Sequence, residues 1–155
     1  MLRRTHLAIG IGIALYFLPH VTNKLLFIPI VLIASLLPDV DSITSSAGSW
    51  RFFRPIQMMV NHRGFFHSYT FCIIVTILLT FLYPISSLPF FLGYSFHLLA
   101  DSFTVQGIKP FPPFKAESKG PIRTGSKVEQ GILLTFIMID VVLFIIILLF
   151  NRIFL

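Results

Sequence analysis

From Gly131 to Phe150 the chain runs for twenty positions with one charged residue, Asp140, and no other feature constrains the fold as tightly. About 20 mostly apolar residues are what an α-helix needs to cross the roughly 30 Å hydrocarbon core of a bilayer. The segment therefore reads as a transmembrane helix. Four more apolar runs precede it, at roughly 6 to 19, 25 to 38, 68 to 83 and 88 to 101. Only 12% of the residues are charged and the mean hydropathy is +0.88, against roughly 25% charged in an ordinary soluble domain. Five spans nearly exhaust 155 residues, so no separate soluble catalytic domain fits and any chemistry must be built from helix ends and loops. The expected fold is all-α: one domain over residues 1–155, an integral membrane bundle of about five transmembrane helices.

The second and fourth runs span only about 21 Å at 1.5 Å per residue, so their polar flanks are expected to lengthen the helices. Pro29 and Pro89 fall near the starts of their runs, where a missing N–H is tolerated, and Pro84 is expected to end the third helix. The first run, Leu7 to Leu18, is followed by Pro19 and His20 rather than a small-residue cleavage site, so it is expected to remain in the mature chain. The lone Cys72 lies within an apolar stretch, which leaves no internal disulfide and points to helix packing.

Alternating the five helices up and down divides the loops between two faces. One face receives Arg3, Arg4, Arg51, Arg54, Arg63, Lys109, Lys115, Lys119, Arg123 and Lys127, and the other only Lys24 and Arg152. By the positive-inside rule the basic face is cytoplasmic, which places the chain in a cell (inner) membrane with its N-terminus inside. The formal charge of +6 is scattered through loops and lines no helix or strand, so membrane lipid is the expected anionic partner and nucleic acid is not.

The same alternation gathers the acidic and imidazole groups. His6 opens helix 1, Asp39 and Asp41 close helix 2, His62 and His67 precede or open helix 3, His97 and Asp101 close helix 4, and Glu129 stands before helix 5. All eight fall on the basic face. Ionisable groups at membrane depth are costly unless paired, and a bound cation would pair them. His97 and Asp101, four residues apart, share one helix face. Gly64 between His62 and His67 permits a close approach. Mixed imidazole and carboxylate donors without thiolates suit zinc first, with manganese or iron also compatible, and more than four candidates favour a catalytic cluster of two or more ions over a closed structural site. Arg63, beside the cluster, could clamp a phosphoryl group through two parallel hydrogen bonds, and is equally readable as a positive-inside or headgroup arginine. Lys127 has no such role, because Thr124-Gly125-Ser126-Lys127 lacks the phosphate-loop pattern. Glu129 is equally readable as a carboxylate favoured at a helix N-terminus. His20 and Asp140 are assigned structural roles.

These motifs, in order, resemble one family. Thr5-His6, Leu37-Pro38-Asp39-Val40-Asp41, His62-Arg63-Gly64 with His67-Ser68, Gly93-Tyr94 through His97 with Asp101, Thr104 with Gly107, and Gly125-Ser126 before Glu129 are similar to the YdjM-like membrane-bound, metal-dependent hydrolases, also described as LexA-binding inner-membrane proteins. The chain departs from that pattern at Val105-Gln106, where a Pro-Trp-like pair is expected. The resemblance implies metal-dependent hydrolysis on a helical membrane scaffold, with His6, Asp39, Asp41, His62, His67, His97 and Asp101 as ligands. The His-x3-Asp pair is also similar to that of zinc-dependent phospholipase C and related nucleases. Together these yield the expectation of a phosphoester hydrolase using a metal-activated water on a phospholipid or lipid-linked phosphate, with Asp39 or Asp41 as ligand or general base. The alternatives are a divalent-cation transporter, or a membrane adaptor that carries a structural metal site and binds a partner through the 102 to 128 loop.

Overall fold

The computed structural model describes residues 1–41, 65–114 and 116–150. Among them are five α-helices and no strand: α1 (Arg3–Phe17), α2 (Lys24–Ala34), α3 (Tyr69–Leu82), α4 (Pro84–Ser102) and α5 (Lys127–Phe150). Short 3-10 turns at Leu18–His20, Leu37–Asp41 and Phe65–His67 extend α1 and α2 or lead into α3. Pro19 and Pro38 sit in the first two of these turns, where a ring without an N–H tightens or stops a helix. Ser68 caps α3 by accepting the Phe71 N–H at 3.2 Å.

Three prolines sit differently from their sequence reading. Pro84 does not simply close α3: Tyr83 breaks the helix with φ −145° and Pro84 starts α4 at its first turn. Pro89 then lies inside α4, and Pro29 lies inside α2. The fourth helix is therefore longer than the apolar run from 88, because Pro84 begins a turn that the polar Ser86 and Ser87 continue.

α4 is the centre of the bundle, packed on α1, α2 and α3, while α5 leans chiefly on α1. One core cluster joins Ile9, Ile13 and Ala14 of α1 to Val31 of α2 and Leu92 of α4. A second sets Cys72 of α3 against Ala34, Phe90, Tyr94 and Leu98. The segment from Phe103 to Ser126 folds back on itself: Ile108 and Ser118 exchange two backbone hydrogen bonds at 2.9 Å, and Tyr69 N–H donates to the Pro110 carbonyl at 2.8 Å. This ties the loop to the start of α3.

Among the described residues one helix, Lys127–Phe150, is long and apolar enough to cross a bilayer, where the sequence led to an expectation of about five. α1, α2 and α3 are shorter, at 15, 11 and 14 residues, and α4 carries Ser, His and Asp along its 19.

Polarity is inverted relative to a water-soluble domain. Large apolar residues are exposed on every helix, among them Leu25, Ile33, Ile77, Phe81, Leu88, Met138 and Phe144, while His6, His67, His97, Asp101, Thr104 and Glu129 are buried. Outward-facing threonines close their own hydrogen bonds: Thr80 and Thr135 donate to the carbonyls of Thr76 and Gly131, one helical turn back. Such self-pairing suits a helix surface that meets hydrocarbon.

Candidate metal centre

Asp101, wholly buried near the C-terminal end of α4, is the hub. His67 Nε2 stands 3.0 Å from its Oδ2, His6 Nε2 3.3 Å from its Oδ1, and His97 Nε2 3.9 Å from Oδ2. The Met1 nitrogen also contacts Oδ1. His97 Nε2 lies 3.8 Å from Asp39 Oδ1, and the rings of His6 and His97 stack with centroids 3.7 Å apart. Two overlapping groups result, His6–His97–Asp101 and Asp39–His67–His97, each with ligand atoms within 4.8 Å of one another, close enough to hold a metal ion.

The backbone fixes which nitrogen of each ring faces the cluster. His97 Nδ1 donates to the Ser35 carbonyl at 2.7 Å and His67 Nδ1 to the Pro38 carbonyl at 3.3 Å. With the Nδ1 protons so used, both Nε2 lone pairs point inward, the arrangement found where an imidazole is oriented to ligate a metal. Inside the cluster the Met1 ammonium donates to Asp101 Oδ1, while the remaining imidazole nitrogens are left short of donors. Neither ring nitrogen of His6 nor His97 Nε2 has a hydrogen-bond partner among the described residues. Buried polar atoms without partners are rare because each costs about 1–3 kcal/mol. A divalent cation satisfies imidazole lone pairs and carboxylates together, so the donor set fits zinc, manganese or iron.

The 3-10 turn that carries Asp39 follows α2 directly, with Asp39 N–H donating to the Leu36 carbonyl at 3.2 Å. Tyr94 OH bonds the Phe66 carbonyl, which holds the turn presenting His67. Thr104 Oγ1 donates to the Asp101 carbonyl at 2.7 Å and accepts the Gly107 N–H at 3.2 Å, tying the end of α4 to the loop. Ser35 is gripped from two sides. A Cβ on Gly93 of α4 would stand 2.3 Å from the Val31 carbonyl, and one on Gly10 of α1 2.8 Å from Ser35 Oγ, so only glycine allows either approach.

His6, Asp39, His67, His97 and Asp101 are thus brought together as helix parity placed them. Glu129 belongs to neither group. Its Oε1 accepts the Leu2 N–H at 2.5 Å and the Thr5 hydroxyl at 3.1 Å, and its Oε2 accepts the Gly125 N–H at 2.5 Å. Three donors from two chain segments make it a buried cap that ties the start of α1 to the start of α5. The Ser126-x-x-Glu129 spacing is the signal for this role: Glu129 N–H donates to Ser126 Oγ at 3.3 Å, half of a capping box. Glu129→Gln leaves at least one of these N–H groups facing a donor, and the expected cost is about 1–3 kcal/mol. Thermal unfolding in detergent should register that loss while elemental analysis finds the metal content unchanged. A fall in bound metal would return Glu129 to the ligand set.

His62, Arg63 and the side chain of Asp41 lie outside the described residues. Asp140 is buried against Gly12 of α1, and its Oδ1 has no hydrogen-bond partner among the described residues. His20 is exposed in the turn after α1. On the loop, exposed Glu117 pairs with Lys119 at 2.5 Å and Lys109 at 3.9 Å, and the Lys119 ammonium holds its carboxyl below the usual value.

Fold and site define a class: an all-helical bundle, apolar outside, with imidazoles and carboxylates buried at one end in an arrangement able to hold a metal ion. The family model described as YdjM inner membrane protein matches residues 1–154, and the chain belongs to that family. No curated protein and no solved structure matches the chain.

Proposed function

We propose that the chain is a multi-pass membrane hydrolase that uses a divalent-metal centre on the cytoplasmic side to cleave a phosphoester, such as a phospholipid or lipid-linked phosphate. One observation carries this reading. Metal-binding side chains from α1, the α2 exit, the α3 entry and α4 converge at one end of a bundle whose outer surface is apolar. A buried polar cluster of this kind, at the edge of an apolar body, meets lipid headgroups rather than the bilayer midplane. A midplane position would suit a transporter better.

α1 to α4 cross as short helices lengthened by their 3-10 turns, with the membrane thinned locally around them and α5 spanning in full. By the alternation of apolar runs in the sequence, ten of the twelve basic residues would fall on the cluster's side and set its orientation. They also supply the field that draws an anionic headgroup to that face.

A cation would be held by His6, His97 and Asp101 or by Asp39, His67 and His97, the two sets sharing the single free Nε2 of His97, with zinc the best match to the donors. When bound, the metal supplies Lewis acidity, which polarises a phosphoryl oxygen and lowers the pKa of water toward neutrality. The chain's own groups divide the remaining work. Asp101 neutralises positive charge from inside the cluster. The Ser35 and Pro38 carbonyls keep the imidazoles of His97 and His67 from rotating. Asp39, whose side chain is 15% exposed where the other described members are buried, would take a proton on a carboxylate oxygen if it serves as general base instead of as a ligand. Arg63 is assigned to bind the phosphoryl oxygens.

The test uses full-length protein purified in detergent, assayed on phosphatidic acid and phosphatidylglycerol micelles and on bis(p-nitrophenyl) phosphate. Hydrolysis should disappear after EDTA treatment and return with zinc or manganese. Protein that binds metal yet cleaves none of these with zinc, manganese or iron would sink the hydrolase reading. Zinc uptake into proteoliposomes would assign transport instead.

A further inference from the structure

A cleft of about 190 Å³ lies beside the metal centre. Met1 and Ile9 form one wall, Phe96 and Ala100 of α4 the next, and Ile132 and Phe136 of α5 the third. Three features decide what it can hold. Its walls are apolar throughout, so an occupant with peptide groups would bury them without hydrogen-bond partners, at a cost of about 1–3 kcal/mol each. Two of its lining residues adjoin the cluster, since Met1 contacts Asp101 and Ala100 precedes Asp101 in the chain. Another side opens outward, where Leu99 and Phe103 line the cleft and remain largely exposed. In the chain, exposed Arg123 follows Ile122, itself part of the lining, and exposed Arg4 lies three residues after Met1. Positive charge so close in sequence to the lining would complement an anionic group held at the cluster end.

We infer that this cleft seats one acyl chain of a phosphate-bearing lipid whose headgroup lies at the metal centre. The headgroup assignment rests on the proposed hydrolase; the acyl-chain site rests on the cleft itself. A hydrocarbon chain needs no hydrogen-bond partners and gains by leaving its polar end beside the metal. The cleft would thus select a lipid phosphoester over a water-soluble one, since each buried methylene strengthens binding.

A photoreactive lipid tests the inference. Full-length protein in detergent is irradiated with phosphatidic acid carrying a diazirine in one acyl chain, and adducts are located by mass spectrometry. Adducts should concentrate on Phe96, Leu99 and Phe136 relative to Ile145 and Leu148, outward-facing positions farther along α5. Ile132→Trp, which fills the cleft, should cut the cleft adducts about tenfold, the loss of roughly two methylenes' burial. Adducts at Ile145, bound metal and turnover of bis(p-nitrophenyl) phosphate should stay as they were. Leu99→Trp, at the exposed rim, gives a second variant should Ile132→Trp not fold. Adducts spread evenly along α5, or insensitive to both variants, would overturn the inference, as would a cleft occupied by a second copy of the chain in crosslinked dimers. Cleft adducts without hydrolysis of any lipid would sustain the acyl-chain site and defeat the hydrolase. Hydrolysis of bis(p-nitrophenyl) phosphate without cleft adducts would do the reverse.

Discussion

Asp101→Asn is expected to remove the metal and, with it, hydrolysis. Asp101 is the carboxylate that meets all three described imidazoles of the cluster: His67, His6 and His97 nitrogens lie 3.0, 3.3 and 3.9 Å from its oxygens, and the Met1 nitrogen adds a fourth contact. Asn keeps the volume but replaces one anionic acceptor with an amide donor. That donor can bond an imidazole lone pair, so the cluster loses its frustration and its attraction for a cation in one step. Changing a residue that merely orients a metal ligand typically costs 10–100-fold in affinity or activity, and loss of a direct carboxylate ligand should exceed about a hundredfold. The helical content should persist, because the amide satisfies the same buried neighbours. Elemental analysis and circular dichroism on one preparation would separate the outcomes. A variant that retains its full metal complement would remove Asp101 from the ligand set and leave the cluster as a buried hydrogen-bonded network. If the variant instead fails to fold at all, the site is structural, as a membrane adaptor would require.

The members of the cluster were legible in the sequence, and its supports were not. Parity of apolar runs puts His6, Asp39, His67, His97 and Asp101 at one end of the bundle because the side of each helix end depends only on counting helices, which survives errors of several residues in length. That is why the cluster held although Pro84 opens α4 and only Lys127–Phe150 has full spanning length. The i,i+4 relation of His97 and Asp101 is equally robust, being set by helix pitch. Ser35 and Pro38 escaped notice because they act through backbone carbonyls, which every residue possesses. Glu129 shows the converse. A carboxylate before an apolar helix fits a ligand and a cap equally well, and the capping contacts with the N–H groups of Leu2 and Gly125 come from across the fold and from the preceding turn. Tyr94 acts through its hydroxyl, but on the carbonyl of Phe66, a partner 28 positions away that no local pattern announces.

Gly93 carries the second large effect, although it has no side chain. It lies where α4 packs directly on the α2 backbone, one turn before His97, and a Cβ there would stand 2.3 Å from the Val31 carbonyl and 2.9 Å from the Ala34 Cβ. Real Cβ atoms do not approach a backbone oxygen that closely, so in Gly93→Ala the two helices must move apart. Overpacking of this kind costs about 1–3 kcal/mol. A gain in helix propensity of at most about 1 kcal/mol works the other way, so the balance is destabilising or close to neutral. The consequence for the site is larger than the consequence for stability. Separation of α2 from α4 draws the Ser35 carbonyl away from His97 Nδ1, a bond of 2.7 Å with little room to stretch. His97 is shared by both candidate metal groups, so both should weaken together, by roughly the 10–100-fold that loss of a ligand's orienting bond produces. Gly93→Ala should therefore release zinc to a competing chelator at a concentration the wild type resists, with little change in unfolding temperature. Gly93→Leu should lower both. Unchanged zinc affinity in Gly93→Ala would mean that α4 can rotate to keep His97 in place, and would shift control of the imidazole from helix spacing to Asp101 alone.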